Sequence, residues 1–239
     1  MKRNLAIFLM GMTIATMVLG GCKDKENISK KDGKESESVE DKKTFTVGFD
    51  AEYPPYGYMD ENGEYTGFDL ELAEAVCELE GWELVKKPIN WDSKDMELNS
   101  GAIDCIWNGF TMNGREEEYT FSTPYVDNSQ VIVVAEKSGM KTLEDLQGKG
   151  VGVQAASAAL DLLQSEEEGG QKALADTFSA LNEFADYNTA FTELQAGALD
   201  ALAIDVGVAN YQIKSRGEGY QILEETLNTE QYAIGFKKG

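Results

Sequence analysis

The 239-residue chain contains no histidine. That removes at once the commonest general base near neutral pH and the commonest zinc ligand. Cysteine is scarce, with three residues. Of these, Cys77 falls on the apolar face of a predicted helix and Cys105 inside an apolar strand, so both read as buried free thiols. A disulfide stays open only if the compartment is oxidising and their Cα atoms lie close. Basic residues are outnumbered, 21 against 43 acids, for a net charge of -22. That balance argues against nucleic acid and against an electrostatic grip on anionic lipid. A long apolar run is missing too. The stretch from Leu5 to Leu19 is interrupted by Gly11 and small residues, and is too short for a comfortable membrane span.

What is there begins with that stretch. Lys2 and Arg3 precede it and Leu19-Gly20-Gly21-Cys22 closes it, the layout of a secretory signal over 1–22. Residues 23–43 are dense in Lys, Glu, Asp and Ser. Such a segment buries no core and extends by self-repulsion, so it reads as a tether. The globular part starts near Thr44, and its length allows two small domains or one large one.

A repeat organises it. Glu97-Leu98-Asn99-Ser100-Gly101-Ala102-Ile103-Asp104 returns 96 residues later as Glu193-Leu194-Gln195-Ala196-Gly197-Ala198-Leu199-Asp200. That period is too long for a solenoid unit and points to two similar halves. Thr46-Val47-Gly48-Phe49 is echoed by Val151-Gly152-Val153. Strands are expected near Phe45–Phe49, Trp82–Ile89, Ile103–Trp107, Gln130–Val134, Leu199–Ile204 and Gln231–Phe236. Helices are expected from an Asp69 cap to Glu80, up to Leu98, over Ser157–Leu163, after Asn188 and over Val206–Lys214. Alternating strands and helices predict α/β lobes with mainly parallel sheets.

In open parallel sheets, ligands bind beyond the carboxyl ends of strands. The loops at Asp50–Tyr53, Asn108–Arg115, Gln154–Ala158 and Asp205 therefore qualify. Arg115 opens an expected helix through Glu116-Glu117-Glu118, where an anion is favoured, and its guanidinium can clamp a carboxylate in two-pronged fashion. The plain alternative is an Arg solvated and paired with its three glutamates. Asp205 is a plain helix cap or a carboxylate that receives an ammonium. The repeat favours the second, because Asp205 stands at the offset where Gly109 stands in the first half. Thr111 adds a hydroxyl and Gly109 allows close backbone approach. The start of the Ser157-Ala158 helix offers N–H donors. Asp50, Tyr53 and Trp91 are candidates for a side-chain pocket, while Trp107 reads as core.

Together, Val47-Gly48-Phe49-Asp50-Ala51-Glu52-Tyr53-Pro54-Pro55-Tyr56, Gly67-Phe68-Asp69, Asn108-Gly109-Phe110-Thr111 with Arg115, Phe121-Ser122-Thr123-Pro124-Tyr125, Val151-Gly152-Val153-Gln154 and Gly197-Ala198-Leu199-Asp200 with Asp205 resemble the bacterial extracellular solute-binding proteins, family 3. The resemblance implies a type II periplasmic-binding-protein-like flytrap with two hinge strands. The first lobe would be 44–129 plus 230–239 and the second 130–229. It implies that Arg115 and Thr111 hold the α-carboxylate of an amino acid, that backbone near Asn108, Gly109 and Ser157 assists, and that Asp205 holds the α-ammonium. Asp50, Tyr53 and Trp91 would line the side-chain pocket. The small-small-Cys ending resembles the lipobox of bacterial lipoproteins, which implies cleavage before Cys22 and lipidation of its thiol.

The expected protein is thus a monomeric, membrane-anchored, extracytoplasmic receptor that passes a polar amino acid to an ABC importer permease. No cofactor, metal or catalysis is expected. A dehydratase-like enzyme on the same scaffold, with Asp50 or Glu52 as acid or base, is the alternative; a sensor ectodomain is a third. Two departures from the family pattern stand out. The spacing from Thr111 to Arg115 is one residue short, so Asn113-Gly114 must turn tightly. A helical segment normally follows the strand ending near Phe236. Its absence means either a fragment or a first lobe with less-covered apolar surface.

Overall fold

A computed structural model describes residues 43–239. The expected signal, Cys22 and all of the tether but its last residue lie outside that range. The described chain opens with strand β1 (Thr44–Phe49). A small antiparallel ribbon follows, of β2 (Glu52–Tyr53), β3 (Gly57–Met59) and β4 (Tyr65–Thr66). Next come helix α1 (Phe68–Glu80), β5 (Glu83–Pro88), α2 (Lys94–Ser100), β6 (Cys105–Ile106), β7 (Tyr119–Phe121) and the long β8 (Val126–Ala135). The second half runs β9 (Gly150–Gln154), α3 (Ala158–Gln164), α4 (Lys172–Ala175), β10 (Ala180–Phe184), α5 (Tyr187–Ala196), β11 (Ala201–Asp205), α6 (Val206–Arg216) and β12 (Tyr220–Ile222). β13 (Asn228–Tyr232) and β14 (Gly235–Lys237) close the chain.

Two sheets carry two lobes, in the orders β5-β1-β6-β14-β7 and β10-β9-β11-β8-β12, with β13 also on β8. Both sheets are mixed rather than mainly parallel. β1 runs parallel to β5 and β6, and β9 parallel to β10 and β11, while every pairing of β8 and β14 is antiparallel. The parallel pairs are those joined through helices. β8 and β14 cross or return without a helix, and so run against their neighbours. The expected last strand, Gln231–Phe236, divides at Ala233-Ile234. β13 stays on β8 and β14 joins the first sheet, so β8 and β13 form a paired double connection between the lobes.

The repeat has one physical meaning in both lobes. Gly101 and Gly197 end α2 and α5 with φ of 76° and 77°, the left-handed turn that glycine adopts without a Cβ penalty. Their N–H groups bond back to Leu98 and Leu194, and the following Ala102 and Ala198 to Glu97 and Glu193. The repeat's terminal carboxylates then pin the matching strands β1 and β9. Asp104 accepts the Thr46 N–H at 2.7 Å and Asp200 accepts the Gly150 N–H at 2.9 Å.

Alternation along β8 divides the second lobe's core. Ile132 and Val134 pack with Val151, Val153 and Leu163 on one face, and Val131 and Val133 with Tyr187, Phe191 and Leu202 on the other. Trp107 is core in the first lobe, beside Phe49 and Leu70. Cys77 and Cys105 are buried and free, as expected.

Two local expectations fail. Asp69 does not cap α1. The helix begins at Phe68 behind Gly67, and Asp69 is buried, accepting the Gly109 N–H and the Tyr125 hydroxyl. No helix follows Arg115. The chain makes a turn there and joins β7, whose bonds to β14 claim the backbone instead.

Candidate functional site

Loops from the carboxyl ends of β1, β5, β6, β9 and β11 meet in the cleft between the lobes. They bring Tyr53, Trp91, Gly109, Thr111, Arg115, Ser157 and Asp205 around one central cavity, joined by Gln154 and Ala158. The lobes are closed over it and its free volume is about 10 Å³. Asp50 opens instead onto an adjoining cavity of about 670 Å³ nearer the solvent, shared with Trp91. Asn108 is buried beneath the loop and lines neither space.

The short Thr111–Arg115 loop reaches the cavity because it turns tightly. Gly114 takes φ of 80°, the Arg115 N–H closes on the Met112 carbonyl at 3.1 Å, and Asn113 Oδ1 accepts the Gln231 N–H at 2.7 Å. Arg115 lies over the Phe110 ring, 5.0 Å from its centre. Its Nη2 pairs at 2.7 Å with Asp161 Oδ2 from α3 of the opposite lobe. The Thr111 hydroxyl donates at 2.7 Å to Glu230 on β13.

Asp205 stands at the start of α6, yet its side chain makes no cap bond. Its Oδ1 accepts from Asn128 Nδ2 at 2.7 Å, Gln130 Nε2 at 2.8 Å and the Tyr232 hydroxyl at 2.6 Å. The same two amide nitrogens also donate to Glu230 Oε1, each at 2.8 Å. Burial, and then the neighbouring Glu230 carboxylate, push the Asp205 carboxyl up to about 6. Burial likewise lifts Asp50 to about 6, against the opposing bonds from the Glu52 N–H and Gln154, and Asp69 to about 7. Such groups cost less neutral than charged when removed from water.

Several bonds cross the closed cleft. Gln154 Nε2 donates to Asp50 at 2.6 Å. The Lys94 ammonium reaches the Ala156 carbonyl at 3.2 Å, and burial followed by the nearby Arg115 charge lowers its pKa. Asn188 donates to Glu52. Ser157 caps α3, its hydroxyl accepting the Leu160 N–H at 3.2 Å.

Sequence reasoning missed Asn128, Gln130, Glu230 and Tyr232, which sit on the two connecting strands, and Asp161 on α3. The polar runs Asp127–Gln130 and Asn228–Gln231 are the one signal, and nothing local to them says which side chains are buried. Among the described residues no group of three or more Cys, Asp or Glu side chains is arranged to hold a metal ion. No described helix is long and apolar enough to cross a membrane.

The pattern of the bacterial extracellular solute-binding proteins, family 3, matches residues 45–214. The L-cystine-binding protein TcyJ of Escherichia coli strain K12 is 28% identical over 204 residues, 84% of this chain and 73% of its own. The arginine-binding extracellular protein ArtP of Bacillus subtilis strain 168 is 30% identical over 207 residues, 85% of this chain and 78% of its own. Among solved structures, an ABC uptake transporter substrate-binding protein from Streptococcus pneumoniae with bound histidine superposes with a TM-score of 0.76 and 36% identity, covering 82% of this chain and 80% of that one.

Proposed function

Because the chain belongs to the bacterial extracellular solute-binding proteins, family 3, a family of receptors rather than enzymes, we propose that it captures a polar L-amino acid with a cationic side chain and delivers it to an ABC importer permease. In this reading it works outside the cytoplasm as a monomer, held to the membrane by a lipid on Cys22; the mass of the membrane-extracted chain checks that lipid. Relatives named for cystine, arginine and histidine support the amino-acid class.

One observation carries the reading. Arg115 from the first lobe and Asp205 from the second line a single closed cavity. An α-amino acid bears a carboxylate and an ammonium a few ångströms apart, and this pair offers each its opposite charge. Arg115 and the N–H groups at the start of α3 take the carboxylate; Asp205 takes the ammonium. The side chain then points to the outer cavity, where Asp50, Glu52, Asp92, Glu97 and Asp186 are gathered and Trp91 offers a flat face. Carboxylates in that number favour a guanidinium or ammonium over a neutral amide.

A thermal-shift screen against the common L-amino acids tests this. L-arginine or L-lysine is expected to give the largest shift, about 2.7 kcal/mol at a hundred times its dissociation constant. Arg115→Ala should abolish the shift, since the ligand carboxylate would be buried unpaired at about 3–5 kcal/mol. A folded wild-type chain that responds to no amino acid would end the proposal.

A further inference from the structure

We propose that Glu230 is the positioning residue of the ammonium subsite: a carboxylate on the connecting strand β13 that, through shared amides and the Thr111 hydroxyl, sets the charge Asp205 presents to the ligand. This rests on the receptor reading above, but its decisive test does not.

Glu230 is 4% exposed and carries no cation partner among the described ion pairs. Burying a carboxylate is costly without hydrogen bonds to replace water. Its Oε1 accepts from Thr111, Asn128 and Gln130, all between 2.7 and 2.8 Å. Two of those donors are shared with Asp205 Oδ1. Both carboxylates therefore sit within hydrogen-bonding reach of the same amide nitrogens, in a buried pocket. The Glu230 charge so placed raises the cost of charging Asp205, and a cation placed between or beside them relieves it. An α-ammonium supplies that relief at the Asp205 face of the cavity.

The bond to Thr111 adds a second consequence. A hydroxyl has one proton to give, and Thr111 gives it to Glu230. What it turns to the cavity is an acceptor oxygen, suited to the ammonium end of the ligand. The carboxylate end falls to Arg115 and backbone N–H groups.

The titratable groups facing Asp205 are Glu230 and Tyr232 on β13, Tyr53 and Tyr56 from the first lobe and Tyr187 on α5, while Arg115 is the cation lining the same cavity. Burial holds all four tyrosines above their ordinary range, so they stay neutral donors. The negative charge felt by Asp205 comes from Glu230. Ligand uptake then displaces a proton from the subsite, and affinity weakens as pH falls.

Carbon-13 NMR titration of the Asp205 carboxyl in the ligand-free full chain, compared with Glu230→Gln, decides the matter. The Asp205 midpoint is expected to drop by about one pH unit in the variant. An unchanged midpoint overturns the proposal, and so does a wild-type midpoint in the ordinary carboxyl range, which needs no variant to fold. Calorimetry with L-arginine gives the second readout. Wild-type affinity should be about tenfold weaker at pH 5.0 than at pH 7.5, and the loss should be smaller in Glu230→Gln. A variant weakened equally at every pH has lost only scaffolding, which overturns the assignment. If L-arginine fails to bind the wild-type chain, the ligand reading falls, and the ligand-free titration still decides Glu230.

Discussion

Arg115 is already engaged when the cleft is closed. Its partner Asp161 has a side chain 61% exposed, against 11% for Arg115. An ion pair with so exposed a partner contributes roughly 0.2–1 kcal/mol, whereas a ligand carboxylate sealed in the cavity would make the same kind of charge-assisted bond with less screening by water. On the proposed reading, Asp161 is expected to yield its place to the ligand carboxylate. Asp161→Asn should tighten amino-acid binding by up to about fivefold, measured by calorimetry. A weakening would mean that Asp161 latches the lobes instead. At this scale the sequence was informative where the repeat gave a comparison. Arg115 and Asp205 hang from matching strand ends, and both line the cavity. Glu230 had no such counterpart. Asn228-Thr229-Glu230 precede the expected strand Gln231–Phe236 as a plain polar run, and only pairing with β8 puts Glu230 inside.

The loop from β6 to β7 shows how an element holds a site. Gly109 has φ of 56°, and a Cβ there would stand 3.1 Å from both the Tyr53 and Tyr232 rings. Its N–H is anchored by the buried Asp69 on α1. Gly109→Ala should therefore cost about 1–2 kcal/mol in denaturant midpoints from backbone strain alone. It should also weaken ligand binding, because Tyr232 donates to Asp205; a substitution neutral on both counts would remove the loop's claimed rigidity. Element ends marked by glycine were legible, as at Gly101 and Gly197 in the repeat, because a left-handed turn has a residue signature. The end of Arg115's segment was not. Glu116-Glu117-Glu118 favours a helix locally, and the competing bonds to β14 come from more than a hundred residues away. The mixed character of the sheets escaped for the same reason: strand direction is set by which connections cross between lobes.

Across the whole molecule, buried carboxylates and surface charge point the same way. Asp50, Asp69 and Asp205 have folded-state pKa values near 6 to 7, above the 3.8 of an unperturbed Asp. The folded chain then binds more protons than the unfolded one over that window. The associated stability is fully present below the unfolded value and is lost as pH rises through 6 to 7. The net charge of -22 adds self-repulsion at higher pH. The ligand-free chain should melt at least about 3 °C higher at pH 5 than at pH 8, in a calorimeter. Ligand affinity should move oppositely, and a melting point flat or rising with pH would contradict the buried-carboxylate account.

Asn128, Gln130, Glu230 and Tyr232 all belong to β8 and β13, the paired strands that connect the lobes, while Asp50 and Trp91 line the outer cavity. On the proposed receptor reading, the common part of every amino acid would thus be met at the fulcrum, and the part that differs at the jaws. Rim residues could then be exchanged for a new selectivity without touching the polar network on the connecting strands.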